Sequence, residues 1–160
     1  MSIAVGKWRG TVGEKVLIVD DEMPLRDLLG EFLEREGYEV LLASAGEEAI
    51  ELAEREIPHA ILLDVKMPGI DGIEVCKRLK AGRKTQFIPV IMITGYVDNK
   101  MVAIESGADD FVNKPIDLAE LAVRVRSILR IRYLTDELER AVAYIEELER
   151  SLPQREERQQ

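Results

Sequence analysis

The sequence predicts an α/β domain, a five-stranded parallel sheet with helices on both faces. Three observations predict it. First, five short strand-like runs recur at 15–19, 38–43, 60–64, 89–93 and 109–113, and the near-continuous apolar character of 16–19, 60–63 and 90–93 is that of strands buried on both faces. Second, the segments between them carry helical periodicity, as a parallel connection needs a crossover. Third, the polar residues with chemical capability follow the runs: Asp20 and Asp21, Asp64, Thr94 and Lys114. In an open α/β sheet the carboxyl ends of the strands are where ligands collect.

Each element has a local reason. Residues 1–14 hold three glycines and the only tryptophan, Trp8, without periodicity, and are expected to form a mobile arm. After the first strand, Pro24 suits the first turn of a helix. Leu25, Leu28, Leu29, Phe32 and Leu33 form its apolar stripe, and Gly37 stops it. The second helix starts at Ser44 and Glu47, spaced as a capping box, buries Ala49, Ile50, Leu52 and Ala53, and ends at Pro58. The third strand rises to Asp64, and 67–72, Met-Pro-Gly-Ile-Asp-Gly, is a turn leading to a helix over 72–80 that buries Val75, Cys76 and Leu79. A fourth helix spans roughly 98–105 and is closed by Gly107. The last begins at Asp117, which again has capping-box spacing to Glu120.

That last helix is expected to run on past the domain. Ile131, Leu134, Leu138, Ala141, Ile145, Leu148 and Leu152 alternate steps of three and four, the seam of a coiled coil. Asp136 with Arg140 and Glu146 with Arg150 are acid-before-base pairs that support an exposed helix. A helix from 118 to 152 is about 50 Å long, beyond what one domain of this size covers, so its stripe needs a partner, most simply a second copy. The expected organisation is an arm at 1–14, a domain at 15–131, a helical coiled-coil extension at 132–152 and a disordered tail at 153–160.

Composition narrows the function. With 22 basic and 31 acidic residues the net charge is −9, which argues against a surface that tracks nucleic acid. A single cysteine excludes an internal disulfide and fits a reducing compartment. No apolar stretch reaches the roughly 20 residues of a membrane span, and the expectation is a soluble, cytoplasmic protein.

Two adjacent carboxylates facing a third repel one another unless a cation sits between them. Mg²⁺ suits such a site, taking one or two carboxylates and a phosphate oxygen while keeping waters; Mn²⁺ is the alternative. The expected ligands are Asp21 and Asp64 directly, Asp20 through water and the backbone carbonyl of Lys66. Taken alone, the Asp20-Asp21 pair reads better as a helix cap; the other strand ends overturn that. Asp64 can then act as nucleophile toward a phosphoryl group, forming an acyl phosphate. The transfer needs chiefly positioning and cancellation of charge, with Lys114 supplying an ammonium and Thr94 a hydroxyl. The Lys114-Pro115 bond is a candidate cis peptide that would aim the lysine inward, an isomer the sequence leaves open.

Taken together, 20–22 (Asp-Asp-Glu), 64–72 (Asp-Val-Lys-Met-Pro-Gly-Ile-Asp-Gly), Thr94-Gly95 and Lys114-Pro115 resemble the receiver domain of two-component response regulators over about residues 15–131. The resemblance implies a flavodoxin-like fold with strand order 2-1-3-4-5. It implies that Asp64 is phosphorylated by a histidine kinase or phosphotransfer protein, with slow self-dephosphorylation influenced by Lys66 and Tyr96 rather than enzymatic turnover. It also implies a switch pair, Thr94 and Phe111, that alters the face made by the fourth helix, fifth strand and fifth helix. Phe111 stands where tyrosine is frequent in the family, so no phenol hydrogen bond serves this switch. The segment 134–141 resembles the helical linker that follows receivers in regulators carrying cyclic-di-nucleotide phosphodiesterase or cyclase domains. Either an output domain lies beyond this sequence or the helix itself engages a partner, and a parallel dimer is expected.

Other readings rank lower. An aspartyl-phosphate phosphohydrolase resembling haloacid dehalogenases would need a second acid two residues after the nucleophile, where Lys66 stands. A coiled-coil adaptor with an idle receiver is the third reading. His59, about 16 Å before Asp64 along an extended strand, is at the wrong sheet edge for phosphoryl chemistry. Cys76 reads as core, and Arg124, Arg126, Arg130 and Arg132 as a solvated or salt-bridged face.

Overall fold

The structure, a computed structural model, describes residues 13–95 and 100–152. Most of the expected arm (with Trp8), Tyr96 and the tail at 153–160 lie outside the described residues. The strands are β1 (Lys15–Val19), β2 (Glu39–Ala43), β3 (Ala60–Asp64), β4 (Val90–Thr94) and β5 (Asp110–Asn113). All pair in parallel in the order β2-β1-β3-β4-β5, the flavodoxin-like arrangement. The helices are α1 (Met23–Arg35), α2 (Gly46–Glu56), α3 (Gly72–Ala81), α4 (Lys100–Glu105) and α5 (Leu118–Ser151).

Both sheet faces are covered because the central strands are apolar on both sides. Leu17, Val19, Ile61, Leu63 and Met92 pack with α2 and α3. Val16, Ile18, Leu62, Ile91 and Ile93 face the other way, onto Leu29 and Leu33 of α1 and Leu121, Val125 and Leu129 of α5. One stripe differs from its expectation: Leu28 of α1 is half exposed. Glu14, assigned above to the arm, is buried, and its carbonyl accepts the Glu39 N–H at 2.9 Å.

Helix ends correct two local readings. α2 starts one residue later than a Ser44 cap requires: its N-cap is Ala45, with no side-chain hydrogen bond. The Ser44 N–H and hydroxyl instead donate to Glu48, each at 3.0 Å, because the later start puts Glu48 rather than Glu47 within reach. Asp117 does cap α5, accepting from the Ala119 and Glu120 N–H groups, but Glu120 pairs with Arg124 rather than reaching back. At the end of α2, Ile57 takes a left-handed φ of 45° before Pro58.

α5 is one helix of 34 residues. Its packing against the sheet stops at Leu129, and Ile131, Leu134, Leu138, Ile145, Leu148 and Leu152 are 45–66% exposed. No described helix is long and apolar enough to cross a membrane.

Gly72 fixes the approach of α3 to β3. A Cβ there would collide with the Asp64 carbonyl oxygen and lie 2.9 Å from the Val65 Cα, both backbone atoms that cannot step aside. Gly72→Ala is expected to lower stability by about 1–3 kcal/mol through overpacking, measured by urea denaturation. Gly95→Ala, where a Cβ would meet nothing within 4 Å, should stay within about 0.5 kcal/mol of the parent.

Candidate functional site

In the order 2-1-3-4-5 the chain leaves β1 to one side and β3 to the other, which opens a crevice at their carboxyl ends. Asp20 follows β1 directly and Asp64 ends β3. Carboxylate oxygens of Asp20, Asp21 and Asp64 all lie within 4.8 Å of one another. Asp20 is 0% and Asp64 3% exposed, whereas Asp21 faces solvent.

Hydrogen bonds hold this geometry from below. The Asp20 N–H donates to the Ala43 carbonyl at 3.2 Å, and Asp20 Oδ1 accepts the Glu22 N–H at 2.8 Å. The Arg26 guanidinium, half-buried on α1, donates to the Asp20 carbonyl at 2.8 Å. Sequence reading missed Arg26. Its signal was weak, a basic residue six positions after Asp20 within the first turns of a helix. On the β3 side, Val65 N–H donates to Ile93 O at 3.1 Å and Gly72 N–H to Val65 O at 2.8 Å. Asp71 caps α3 through the Glu74 N–H at 2.9 Å.

Lys114 Nζ lies 3.3 Å from Asp64 Oδ1. The Lys114-Pro115 peptide is cis, and the Lys114 N–H donates to Thr94 O at 2.8 Å, which ties the end of β5 to that of β4. Thr94 is fully buried and pairs in register with Asn113. Phe111 lies opposite Met92 in the β4–β5 ladder and packs, half-buried, against the α2/α3-side core. Lys66 is exposed, and its backbone hydrogen-bonds the Asp64 carboxylate.

The electrostatics are those of a site short of positive charge. Burial, then repulsion by Asp20, pushes the Asp64 carboxyl above the usual carboxylate range, against the pull of Lys114. Burial likewise raises Asp20, opposed by the Glu22 N–H bond and Lys114. Among the described residues, Asp20 Oδ2 is the one buried side-chain polar atom without a hydrogen-bond partner. An all-oxygen cluster, one member of which carries a buried carboxylate oxygen without a partner, fits a hard divalent cation such as Mg²⁺.

The residues discounted above lie elsewhere. His59 sits at the amino edge, where its Nδ1 accepts the Lys15 N–H at 2.9 Å. Cys76 is buried on α3. Arg124 is bound to Asp110 and Glu120 at 3.0 Å, and Arg132 donates to the Phe87 carbonyl at 2.8 Å.

A prediction follows from the unpartnered oxygen. Leaving a buried charged group unsatisfied costs about 1–3 kcal/mol, so Asp20→Asn is expected to raise the melting temperature in metal-free buffer. If the cluster holds Mg²⁺, millimolar Mg²⁺ should stabilise the parent by binding the folded state, and the same variant should lose that gain.

Comparison with known proteins converges on one family. Residues 16–126 match the description "Response regulator receiver domain". The chain is 46% identical over 121 residues to the alkaline phosphatase synthesis transcriptional regulatory protein PhoP of Bacillus subtilis, covering 74% of this chain and 50% of that protein. It is 46% identical over 119 residues to the probable transcriptional regulator ycf27 of Porphyra purpurea, covering 73% and 48% respectively. The chain thus spans about half the length of the curated relatives it matches. Among solved structures, a CheY-like response regulator receiver domain protein from Methanospirillum hungatei superposes with a TM-score of 0.72 at 30% identity, over 76% of this chain and 98% of that one. With its parallel sheet in the order 2-1-3-4-5 and its strand-end carboxylates, the chain belongs to the response regulator receiver domain family.

Proposed function

We propose that this receiver accepts a phosphoryl group on Asp64 from a phosphohistidine of a histidine kinase or phosphotransfer protein, with Mg²⁺ bound beside it. The observation that carries the reading is the placement of Asp64. It is a buried carboxylate at the mouth of the crevice, 3.3 Å from one ammonium and within 4.8 Å of two further carboxylates.

In the transfer, an Asp64 carboxylate oxygen forms a bond to phosphorus as the bond from phosphorus to the donor imidazole nitrogen breaks; the departing imidazole takes up a proton. Lys114 orients Asp64 and offsets charge on the phosphoryl oxygens, and the Thr94 hydroxyl donates to one of them. Asp20, Asp21, Asp64 and the Lys66 carbonyl would hold the Mg²⁺, which supplies neutralisation of charge on the phosphoryl oxygens. Loss of the phosphoryl group is slow hydrolysis of the acyl phosphate rather than turnover of a substrate.

The phosphoryl group brings a charge of about −1.5 to −2 to a site joined to β4 and β5. Thr94 and Phe111 are the residues through which that charge would reach the face formed by α4, β5 and α5. The receiver unit is 15–131 and the effector element 132–152. At about 100° per residue the exposed stripe of α5 lies about 180° from Val125 and its core-facing neighbours. Two copies can therefore join stripe to stripe with their receiver bodies on opposite sides. Ile131 and Ile145 at one seam position, with Leu134 and Leu148 at the other, favour a parallel two-stranded pairing. The protein acts in the cytoplasm, and its partners are a histidine kinase or phosphotransfer protein, a second copy and a downstream output reached through α5.

Incubation with acetyl phosphate and Mg²⁺ should add one phosphoryl mass, read by intact mass spectrometry. Asp64→Asn or excess chelator should abolish it, and labelling that persists in Asp64→Asn would place the acceptor elsewhere. Lys114→Ala should bind Mg²⁺ yet label at least about a hundredfold more slowly, in the range seen on removing one charge-stabilising donor. For the helix, sedimentation should show a dimer that Leu138→Glu with Ile145→Glu converts to monomer; a parent that is monomeric with and without beryllofluoride would contradict the dimer.

A further inference from the structure

We propose that the first turn of α2, through Gly46, is a brace that positions the metal-binding edge of the acidic pocket without supplying a ligand. The proposal deepens the reading of the pocket as a Mg²⁺ site and rests on it. The β2–α2 connection touches both halves of the pocket. At its start, the Ala43 carbonyl accepts the Asp20 N–H at 3.2 Å, fixing the β1 side. Three residues on, buried Gly46 lies against Ile70, in the 65–71 segment that carries the Lys66 carbonyl.

The need for glycine here is spatial. Gly46 has no positive φ, so its backbone suits any residue. An added Cβ, however, would collide with Ile70 Cγ1 and lie 2.8 Å from Ile70 Cδ1 and 2.7 Å from Val75 Cγ2. Val75 sits on α3 in the core beside Cys76 and Leu79 and has little room to withdraw. Ile70 is half-buried on a loop, so of the two contacts it is the one free to yield, while the contact with Val75 bears on α3. The loop is closed at its far end, by Gly72 N–H on Val65 O and Asp71 on the α3 N-terminus. A push on Ile70 that its side chain does not relieve by turning toward solvent falls on the stretch 66–70, and with it on the Lys66 carbonyl. Ile70 acts as a wedge between α2 and the loop, and its fit against Gly46 sets where that carbonyl points.

The test is a double-substitution cycle on the full chain, read as the Mg²⁺ dissociation constant by calorimetry, with far-ultraviolet circular dichroism verifying folding. Gly46→Ala pushes the wedge and Ile70→Ala removes it. Each alone should weaken Mg²⁺ binding on the order of tenfold, the scale of lost support around metal ligands. Gly46→Ala with Ile70→Ala, which removes the collision with Ile70 and leaves the contact with Val75, should bind more tightly than Gly46→Ala alone. A purely structural role would lower thermal stability and leave the dissociation constants of the folded variants alike, and that result overturns the proposal. If Gly46→Ala does not fold, Ile70→Ala alone decides: unchanged affinity overturns the proposal, and weakened affinity at retained fold supports it. Absence of Mg²⁺ binding by the unsubstituted chain would overturn the reading of the pocket itself; normal binding there with unaltered variants overturns the brace alone.

Discussion

The structure turns on an electrostatic imbalance: three carboxylates within 4.8 Å of one another, two of them buried, beside a single ammonium. Burying a charge is costly unless it is paired, and among the described residues Lys114 is the one basic side chain ion-paired to these carboxylates. Its surroundings hold the imbalance in place. Arg26 and Ala43 fix the backbone at Asp20, Gly72 lets α3 close directly on the end of β3, and the N–H of Lys114 bonds back to β4. Local stability at these strand ends depends on the parallel sheet, because only that arrangement brings β1, β3, β4 and β5 to one edge with the same polarity.

α5 carries apolar residues on opposite faces of one helix. Leu121, Val125, Ile128 and Leu129 complete the core, while the seam from Ile131 to Leu152 stays open to solvent. The helix is unbroken from Leu118 to Ser151, so a change in how its first turns sit against β5 would reach its far end. Arg124, held by Asp110 of β5 and by Glu120, ties the helix to the strand that delivers Lys114. In the proposed function this is the mechanical link between the acceptor site and the seam.

The fold was legible because its signals are periodic and local: five apolar runs, each followed by a helical pattern, leave little choice but a parallel sheet. Asp20, Asp21, Asp64, Thr94 and Lys114 were legible as candidates because strand ends can be read from where apolar runs stop. What escaped lies at longer range or finer grain. Arg26 bonds to a backbone carbonyl, which no side-chain pattern encodes. Gly46 looks like any glycine near a helix start until Ile70 is found against it. The α2 cap was misplaced by one residue, since Glu47 and Glu48 are equivalent in sequence and only the helix start at Gly46 selects Glu48. Leu28 followed helical spacing yet faces solvent, because the stripe of α1 is narrower than its run of leucines.

In the proposed function a divalent cation completes the charge balance of the acidic pocket. Calorimetric titration of the unsubstituted chain with Mg²⁺ tests it most directly. One saturable site per chain is expected, lost when Asp21 is replaced by Ala. Absence of any saturable uptake, or uptake that survives Asp21→Ala with unchanged affinity, would contradict it.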